Sequence, residues 1–160
     1  MASKRLNIKI TGVDETFSKL KQKYASAINE VDMEMAASIE QMATNAKSIF
    51  PNGNPNIEGE TQIYAEIRAS IMVDKKAPLK YILKSGKEKD DMSAYIEFGT
   101  GIYFPKYPGK DEQWQKLARD FYKNGKGRMY PSPYLYPSVT SGLVSLISNI
   151  RQIFKRNERL

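Results

Sequence analysis

Hydrophobic residues recur every three or four positions over most of the first third of the chain. The series comprises Phe17, Leu20, Tyr24, Ile28, Val31, Met35, Ile39, Met42, Ala46 and Ile49. This spacing puts one apolar stripe on a helix, here of about 36 residues and roughly 54 Å at 1.5 Å per residue. Asp14 is a suitable N-cap, and Pro51 ends the helix. Because one small core rarely covers such a length, we expect part of the stripe to meet a neighbouring subunit.

Four shorter segments have the pattern of β-strands. In the first, apolar and polar residues alternate from Leu6 to Ile10, which predicts a half-buried strand. The other three predicted strands are residues 63–73, 79–83 and 92–98. Residues 74–78 are predicted to form the turn between the second and third strands. A charged hairpin connection, residues 85–91, precedes the last strand.

The end of the chain predicts an insertion followed by a final helix. Residues 102–130 are rich in aromatic and basic residues, and residues 133–154 have apolar positions at helical spacing. The predicted order is therefore strand, long helix, three antiparallel strands, insertion and helix. We expect one domain, residues 1–160, of the α+β class: a small antiparallel sheet packed against one long N-terminal helix and a C-terminal helix.

The composition argues against an enzyme. The 160 residues include no histidine and no cysteine, which removes the commonest general base, thiolate chemistry and the usual zinc ligands. No apolar run approaches the roughly 20 residues needed to cross a bilayer, and the first residues do not resemble a signal peptide. We expect a binding or structural protein with no cofactor, no metal site and no membrane partner.

The net charge of +7 lies entirely in the last part of the chain. Residues 1–100 carry 14 Lys or Arg and 14 Asp or Glu, whereas residues 101–160 carry 11 and four. A one-sided basic region suits DNA or an acidic protein partner. A solvated, solubility-promoting face explains it equally well.

Two glycine pairs and one acidic group are the candidates for chemistry. Gly99-Thr100-Gly101 and Gly125-Lys126-Gly127 suggest phosphate loops, but Arg128 occupies the place of the required hydroxyl residue. The glycines are better explained by positive φ angles in turns.

The acidic group consists of Asp90, Asp91 and Glu97, which could hold magnesium for nuclease chemistry. Adjacent aspartates in a charged hairpin are more often simply solvated. Glu97 lies between Ile96 and Phe98, where packing is tight. For Glu97 we therefore favour an ion pair or a backbone contact over catalysis.

The insertion alternates aromatic rings with cations, a composition that suits single-stranded nucleic acid and protein interfaces. No RNA-recognition or helix-turn-helix signature supports nucleic acid, so we favour the protein interface. Trp114, the single tryptophan of the chain, is the best candidate for an anchor.

Five short segments also carry a family resemblance. They are residues 8–14, 46–51, 68–71, 95–100 and 133–137. In this order they resemble the phage head–tail joining and tail-completion family, the neck proteins of long-tailed double-stranded DNA phages. The most specific segment is 95–100, Tyr-Ile-Glu-Phe-Gly-Thr. Tyr136 departs from the basic residue usual in the family, and residues 102–130 are longer than the expected link.

The resemblance implies a structural virion protein at the neck or tail top, made in the bacterial host cytoplasm. It implies a homo-oligomeric ring, with a hexamer favoured over a dodecamer. The ring would contact neighbouring neck and tail proteins and let double-stranded DNA pass without reading its sequence. The alternative is a basic nucleic-acid-binding protein. The candidate interface residues are Glu97, Gly99, Trp114, Tyr130, Tyr134 and Tyr136.

Overall fold

A computed structural model describes residues 6–9 as backbone and residues 25–86, 92–99 and 129–157 in full. These ranges contain three strands and four helices. In chain order the elements are β1 (Leu6–Lys9), α1 (Ala25–Ile49), α2 (Glu60–Ser70), β2 (Met72–Ala77), β3 (Lys80–Ser85), α3 (Met92–Phe98) and α4 (Leu135–Asn157).

The three strands form one antiparallel sheet in the order β1–β3–β2. Lys84 is opposite Met72 of β2 on one side and position 7 of β1 on the other, while Ile82 is opposite Asp74 and position 9. Tyr81 and Leu83 of the central strand are buried. The sheet therefore contributes one face of β3 to the core.

Helix α1 is the centre of the fold. Its buried residues recur at the predicted spacing and include Val31, Met35, Ile39, Met42 and Ala46. The helix contacts β2 and β3 and also lies along α4. It ends at Ile49, just before Pro51, as predicted. The predicted part of this helix before residue 25 lies outside the described ranges.

Helices α1 and α4 run antiparallel. Asn149 donates a hydrogen bond to Glu34, and Arg156 forms an ion pair with Glu30 one turn earlier on α1. A Cβ atom at Gly142 would overlap with the Met42 side chain, so glycine allows the two helices to approach closely at this point. The α+β class is confirmed, with the long helix and the C-terminal helix packed together against the sheet.

The strand predicted for residues 63–73 is wrong over most of its length. Residues 60–70 form α2, and β2 starts only at Met72. The buried residues in this region are Tyr64, Ile67 and Ile71, spaced by three and four as on a helix. The predicted turn at 74–78 is also wrong in part, because β2 continues to Ala77.

The strand predicted for residues 92–98 is wrong as well. These residues form α3, in which Ser93, Ala94, Ile96 and Glu97 are buried. Burial at positions i, i+1, i+3 and i+4 belongs to a short helix that is enclosed on one side. Glu97 therefore shares the buried side with Ile96 rather than facing away from it.

Across the described ranges, no helix combines the length and the apolar character that crossing a membrane would require.

Candidate functional site

Gly99, which follows α3, lies beside Met129 and Pro131, which precede α4. The backbone N–H of Ser132 donates a hydrogen bond to the Ile96 carbonyl, with an N–O distance of 2.8 Å. Gly99 packs against Pro131 so closely that a Cβ atom at position 99 would lie 2.8 Å from Cδ of Pro131. We call this meeting point, formed by residues 96–99 and 131–136, the α3–α4 junction.

The Glu97 carboxylate is the centre of the α3–α4 junction. Its Oε2 atom accepts hydrogen bonds from the backbone N–H groups of Tyr134 and Leu135, and its Oε1 atom accepts one from Tyr136. All three N–O distances are 2.8 Å. Of the two contacts expected for Glu97, an ion pair or a backbone contact, the described residues show the backbone contact.

These bonds account for the start of α4. A helix leaves its first four backbone N–H positions without an intrahelical partner, which here are residues 134–137. Glu97 binds three of them, and the fourth is Pro137, which has no N–H to satisfy. A negative charge at a helix N-terminus is also favoured by the helix dipole. The Tyr-Leu-Tyr-Pro sequence therefore needs an acceptor from elsewhere in the chain, and α3 supplies it.

Glu97 is fully buried, and within the described ranges no lysine or arginine pairs with it. Burial raises the pKa of Glu97, while the three backbone hydrogen bonds lower it; burial has the larger effect, so the pKa is raised overall. None of the surface of Glu97 is exposed. The carboxylate acts as a fixed acceptor that joins two helices.

Gly99 ends α3 in the left-handed conformation, with φ at 70°. Its N–H donates to the Tyr95 carbonyl at 2.8 Å, which is typical of a glycine that terminates a helix. The prediction of positive φ at Gly99 is confirmed. The predicted role at the end of a strand is wrong, because the preceding element is a helix.

Tyr134 attaches the start of α4 to the sheet. Its hydroxyl lies 2.6 Å from Oγ of Ser85 on β3 and donates a longer bond, 3.3 Å, to the Ser93 carbonyl. The ring meets Phe50 edge-on, with centroids 4.5 Å apart. Burial raises the pKa of the Tyr134 hydroxyl far above its usual range, so it stays protonated.

The α3–α4 junction brings together four of the six candidate interface residues: Glu97, Gly99, Tyr134 and Tyr136. Glu97 and Tyr134 are buried inside the subunit, which corrects their assignment to a surface. They can influence an interface only by fixing the first turn of α4.

Of the other two candidates, Tyr130 lies within the described residues, next to the α3–α4 junction. It has 70% of its surface exposed. Trp114 lies outside the described residues, as do Asp90, Asp91 and the Gly125-Lys126-Gly127 segment.

A second carboxylate, Asp32, fastens the β2–β3 hairpin to α1, and the sequence did not reveal it. It accepts bonds from Nζ of Lys75 at 2.6 Å, from the backbone N–H of Leu79 at 2.8 Å and from the Tyr81 hydroxyl at 2.9 Å. Leu79 has a positive φ of 59°, an unusual value for a branched residue. The hydrogen bond that the Leu79 N–H donates to Asp32 holds the hairpin turn in this conformation.

The pKa of Asp32 is shifted in the direction opposite to that of Glu97. Burial raises it, but the hydrogen bonds from Lys75, Leu79 and Tyr81 together with the charge of Lys75 lower it by more, and the net shift is downward. No short motif marks such a residue. The only signal in the sequence is an acid that directly follows Val31 of the buried stripe of α1.

A groove of about 390 Å³ runs between α1 and α4. Six of its ten lining residues carry a hydroxyl or an amide, among them Ser38, Gln41, Asn45, Ser141 and Ser145. The groove has the size of a small-molecule pocket. Within the described ranges, no cluster of three or more acidic side chains could hold a metal ion.

No family model, no curated protein and no solved structure matches this chain.

Proposed function

We propose that this protein is a structural virion protein of a phage neck. It forms a homo-oligomeric ring, most simply a hexamer, that joins head to tail or completes the tail top. Double-stranded DNA passes through the ring without sequence readout. The protein has no catalytic role and works in the virion.

The observation that carries this proposal is a direct contact between two separate segments of the family resemblance. Residues 95–100 and 133–137 are more than 30 positions apart, yet Glu97 of the first accepts the backbone N–H groups that open α4 in the second. The close approach of Pro131 also requires a glycine at position 99 of the first segment. Two segments that depend on each other physically are expected to occur together, which strengthens a resemblance built on their order.

Exposed apolar side chains support a role in assembly. Met33 of α1 and Val144 of α4 have 72% and 69% of their surfaces exposed. Residues 102–130 hold seven of the 17 aromatic residues, and aromatic residues are enriched in protein interfaces. We assign the contacts with neighbouring subunits and neck proteins chiefly to this insertion.

The test measures incorporation into particles. Virions are assembled with Trp114→Ala as the only source of the protein, and the bound protein is quantified in purified particles. We expect a folded variant with strongly reduced incorporation, since one large ring in a pocket supplies about 2 kcal/mol or more of binding free energy. Ile57→Ala is the matched control, because Ile57 is an exposed apolar residue outside the insertion.

Normal incorporation of folded Trp114→Ala would move the interface elsewhere. The proposal as a whole fails if labelled protein is absent from the neck and tail top of virions in electron micrographs.

The alternative, a basic nucleic-acid-binding protein, is favoured by one observation: residues 101–160 contain the whole net charge of the chain. A salt titration separates the two functions. A nucleic-acid-binding protein retains measurable affinity for DNA at about 150 mM salt and loses it steeply above. A ring subunit needs no such affinity for free DNA.

A further inference from the structure

Among the described residues, no strand lies beside the outer edge of β2. In the sheet order β1–β3–β2, β2 pairs with β3 on one side only. On its other side, the described residues provide no backbone hydrogen-bond partner for Met72–Ala77. An edge of this kind is a template for pairing with another strand.

The two halves of this edge differ. Lys75 and Lys76 lie in the second half, where an irregularity between Lys75 and Ala77 breaks the register with β3. Lysines and bulges protect an edge from indiscriminate pairing. The first half, from Met72 to Asp74, keeps regular pairing with β3, and Met72 has 53% of its surface exposed. A specific partner strand therefore fits best on the first half.

A second copy of this chain is the partner that a ring requires. Ring closure needs a heterologous contact, in which two different surfaces meet. The described sheet has two unlike edges, β1 and β2, and both strands are antiparallel to β3. They are therefore parallel to each other. When the ring axis lies roughly along the strands, rotation about it places β1 of the next copy parallel to β2.

The register across the sheet makes this contact specific. Positions 7, 84 and 72 form one row, and positions 9, 82 and 74 form the next. If the neighbouring strand continues these rows, position 9 of the next copy, a lysine, comes beside Asp74, which already forms ion pairs with Lys76 and Lys84 of its own chain.

We infer that β1 of one copy adds to the outer edge of β2 of its neighbour, so that the ring contains one continuous sheet. The inference rests on the proposed ring. Six copies would contribute about 18 strands, and barrels of roughly 16–18 strands leave an aqueous channel. The strand contact is thus compatible with a ring through which a polymer passes.

The absence of native cysteine allows a direct test by disulfide cross-linking in the full chain. The variant Asn7→Cys/Met72→Cys places one thiol on each edge. Within a subunit, β3 separates these strands by about 9.5 Å, beyond the roughly 7 Å limit for Cα atoms in a disulfide. Any disulfide between the two positions therefore joins different copies.

We expect oxidation of assembled protein to give a ladder of covalent oligomers that extends to the full ring on non-reducing gels. Lys9→Cys/Asp74→Cys serves as a second pair in the adjacent row. The control is Asn7→Cys/Gln152→Cys, whose second thiol is exposed on α4 but lies on neither edge. Circular dichroism and the melting temperature confirm that each variant folds.

The possible outcomes separate the strand contact from the ring. If electron microscopy shows rings but neither Asn7→Cys/Met72→Cys nor Lys9→Cys/Asp74→Cys gives a ladder, the strand contact is overturned. The proposed ring is not affected by that result. An equal ladder from the control overturns it too, because random collision then explains the cross-links. If neither rings nor ladders form, in purified protein or in virions, the inference and the proposed function both fail.

Discussion

Two carboxylates anchor this fold, and they do so by different physics. Glu97 is fully buried and, among the described residues, binds only backbone N–H groups. Asp32 has 21% of its side chain exposed and binds a lysine, a tyrosine hydroxyl and one backbone N–H. Each joins segments distant in sequence: Glu97 joins α3 to α4, and Asp32 joins α1 to the β2–β3 hairpin.

The difference lies in what replaces each carboxylate's hydration. At Glu97 the start of a helix supplies all the donors, with no ion pair to a cation within the described ranges. At Asp32, the Lys75 ammonium group and solvent both contact the carboxylate. Burial has the largest effect on the pKa of both groups. At Glu97 it outweighs the donors, so the pKa is raised, whereas at Asp32 the donors and the nearby cation together outweigh it, so the pKa is lowered. Removing Glu97 leaves buried donors with no access to water, so its loss should be the more damaging.

Replacing Glu97 should have the largest effect. Glu97→Ala leaves three backbone donors unsatisfied in the interior, and we expect a loss of about 3–5 kcal/mol in the free energy of unfolding. Glu97→Gln keeps one acceptor oxygen and should lose less, about 1–3 kcal/mol. Urea denaturation measures both. The exposed Glu40→Ala variant is the control.

A cost for Glu97→Ala no larger than that of Glu40→Ala would show that water reaches the α3–α4 junction. The contrast between the two carboxylates would then disappear.

The second prediction concerns the rigidity of the α3–α4 junction. Gly99 and Gly59 have similar φ angles, 70° and 77°, but only a Cβ at Gly99 would collide, with Pro131 and the Met129 carbonyl; at Gly59 nothing lies within 4 Å. Gly99→Val should lose about 2–5 kcal/mol, because strain and overpacking add. Gly59→Val should lose about 1–2 kcal/mol from strain alone.

Thermal or urea unfolding of the matched pair decides this. Equal losses at the two glycines would mean that the contact between Gly99 and Pro131 yields easily and that only the backbone angle matters.

The third prediction concerns Asp32. Asp32→Asn keeps the shape of the side chain but removes the charge, and its amide nitrogen cannot accept. We expect a loss of about 1–2 kcal/mol at neutral pH, smaller than for Glu97→Ala because solvent can replace part of the lost hydrogen bonding. Amide hydrogen exchange should be faster in β2 and β3 and unchanged at the start of α4. Faster exchange in α4 would show that the two anchors are coupled.

The smallest effect is on the pH dependence of stability, and it should have opposite signs at the two sites. The pKa of Glu97 is raised from 4.5, so the folded state holds more protons just above pH 4.5, and stability falls as the pH rises through the folded pKa. The pKa of Asp32 is lowered from 3.8, so its contribution is present above pH 3.8 and is lost as the pH falls through the folded pKa.

Urea unfolding across this range measures both slopes. The cost of Glu97→Gln should shrink towards neutral pH, and the cost of Asp32→Asn should shrink towards acid pH. Parallel profiles for the two variants would contradict the assigned directions.

The helices that sequence analysis identified are those with long apolar stripes. Helices α1 and α4 follow patterns that extend over several turns, so their periodicity could be counted. Helices α2 and α3 are short, and the β-branched and aromatic residues within them, such as Ile63, Tyr64, Ile67 and Ile96, also suit strands. Over seven to eleven residues the two periods cannot be separated reliably.

The candidate site was predicted in part. An acid within an apolar segment is unusual, and it indicates that Glu97 makes either an ion pair or a backbone contact; the structure shows the backbone contact. The glycine pair indicates a turn, and Gly99 has the predicted positive φ angle. Tyr134 and Tyr136 were placed at a surface, whereas Tyr134 is buried against Ser85. Nothing near Tyr134 in the sequence indicates that Ser85 of β3 brings its hydroxyl to the Tyr134 hydroxyl.

The sequence by itself determined the α+β class, the central helix, the final helix and the glycine turn, since each follows from local spacing or from the conformational needs of one residue. The tertiary structure alone decided which donors Glu97 and Asp32 would meet. A carboxylate accepts hydrogen bonds from any donor that comes within reach, and its chemistry does not specify a partner. Packing of α3 against the start of α4, and of α1 against the hairpin, selected those partners from groups 37 and 49 positions away along the chain.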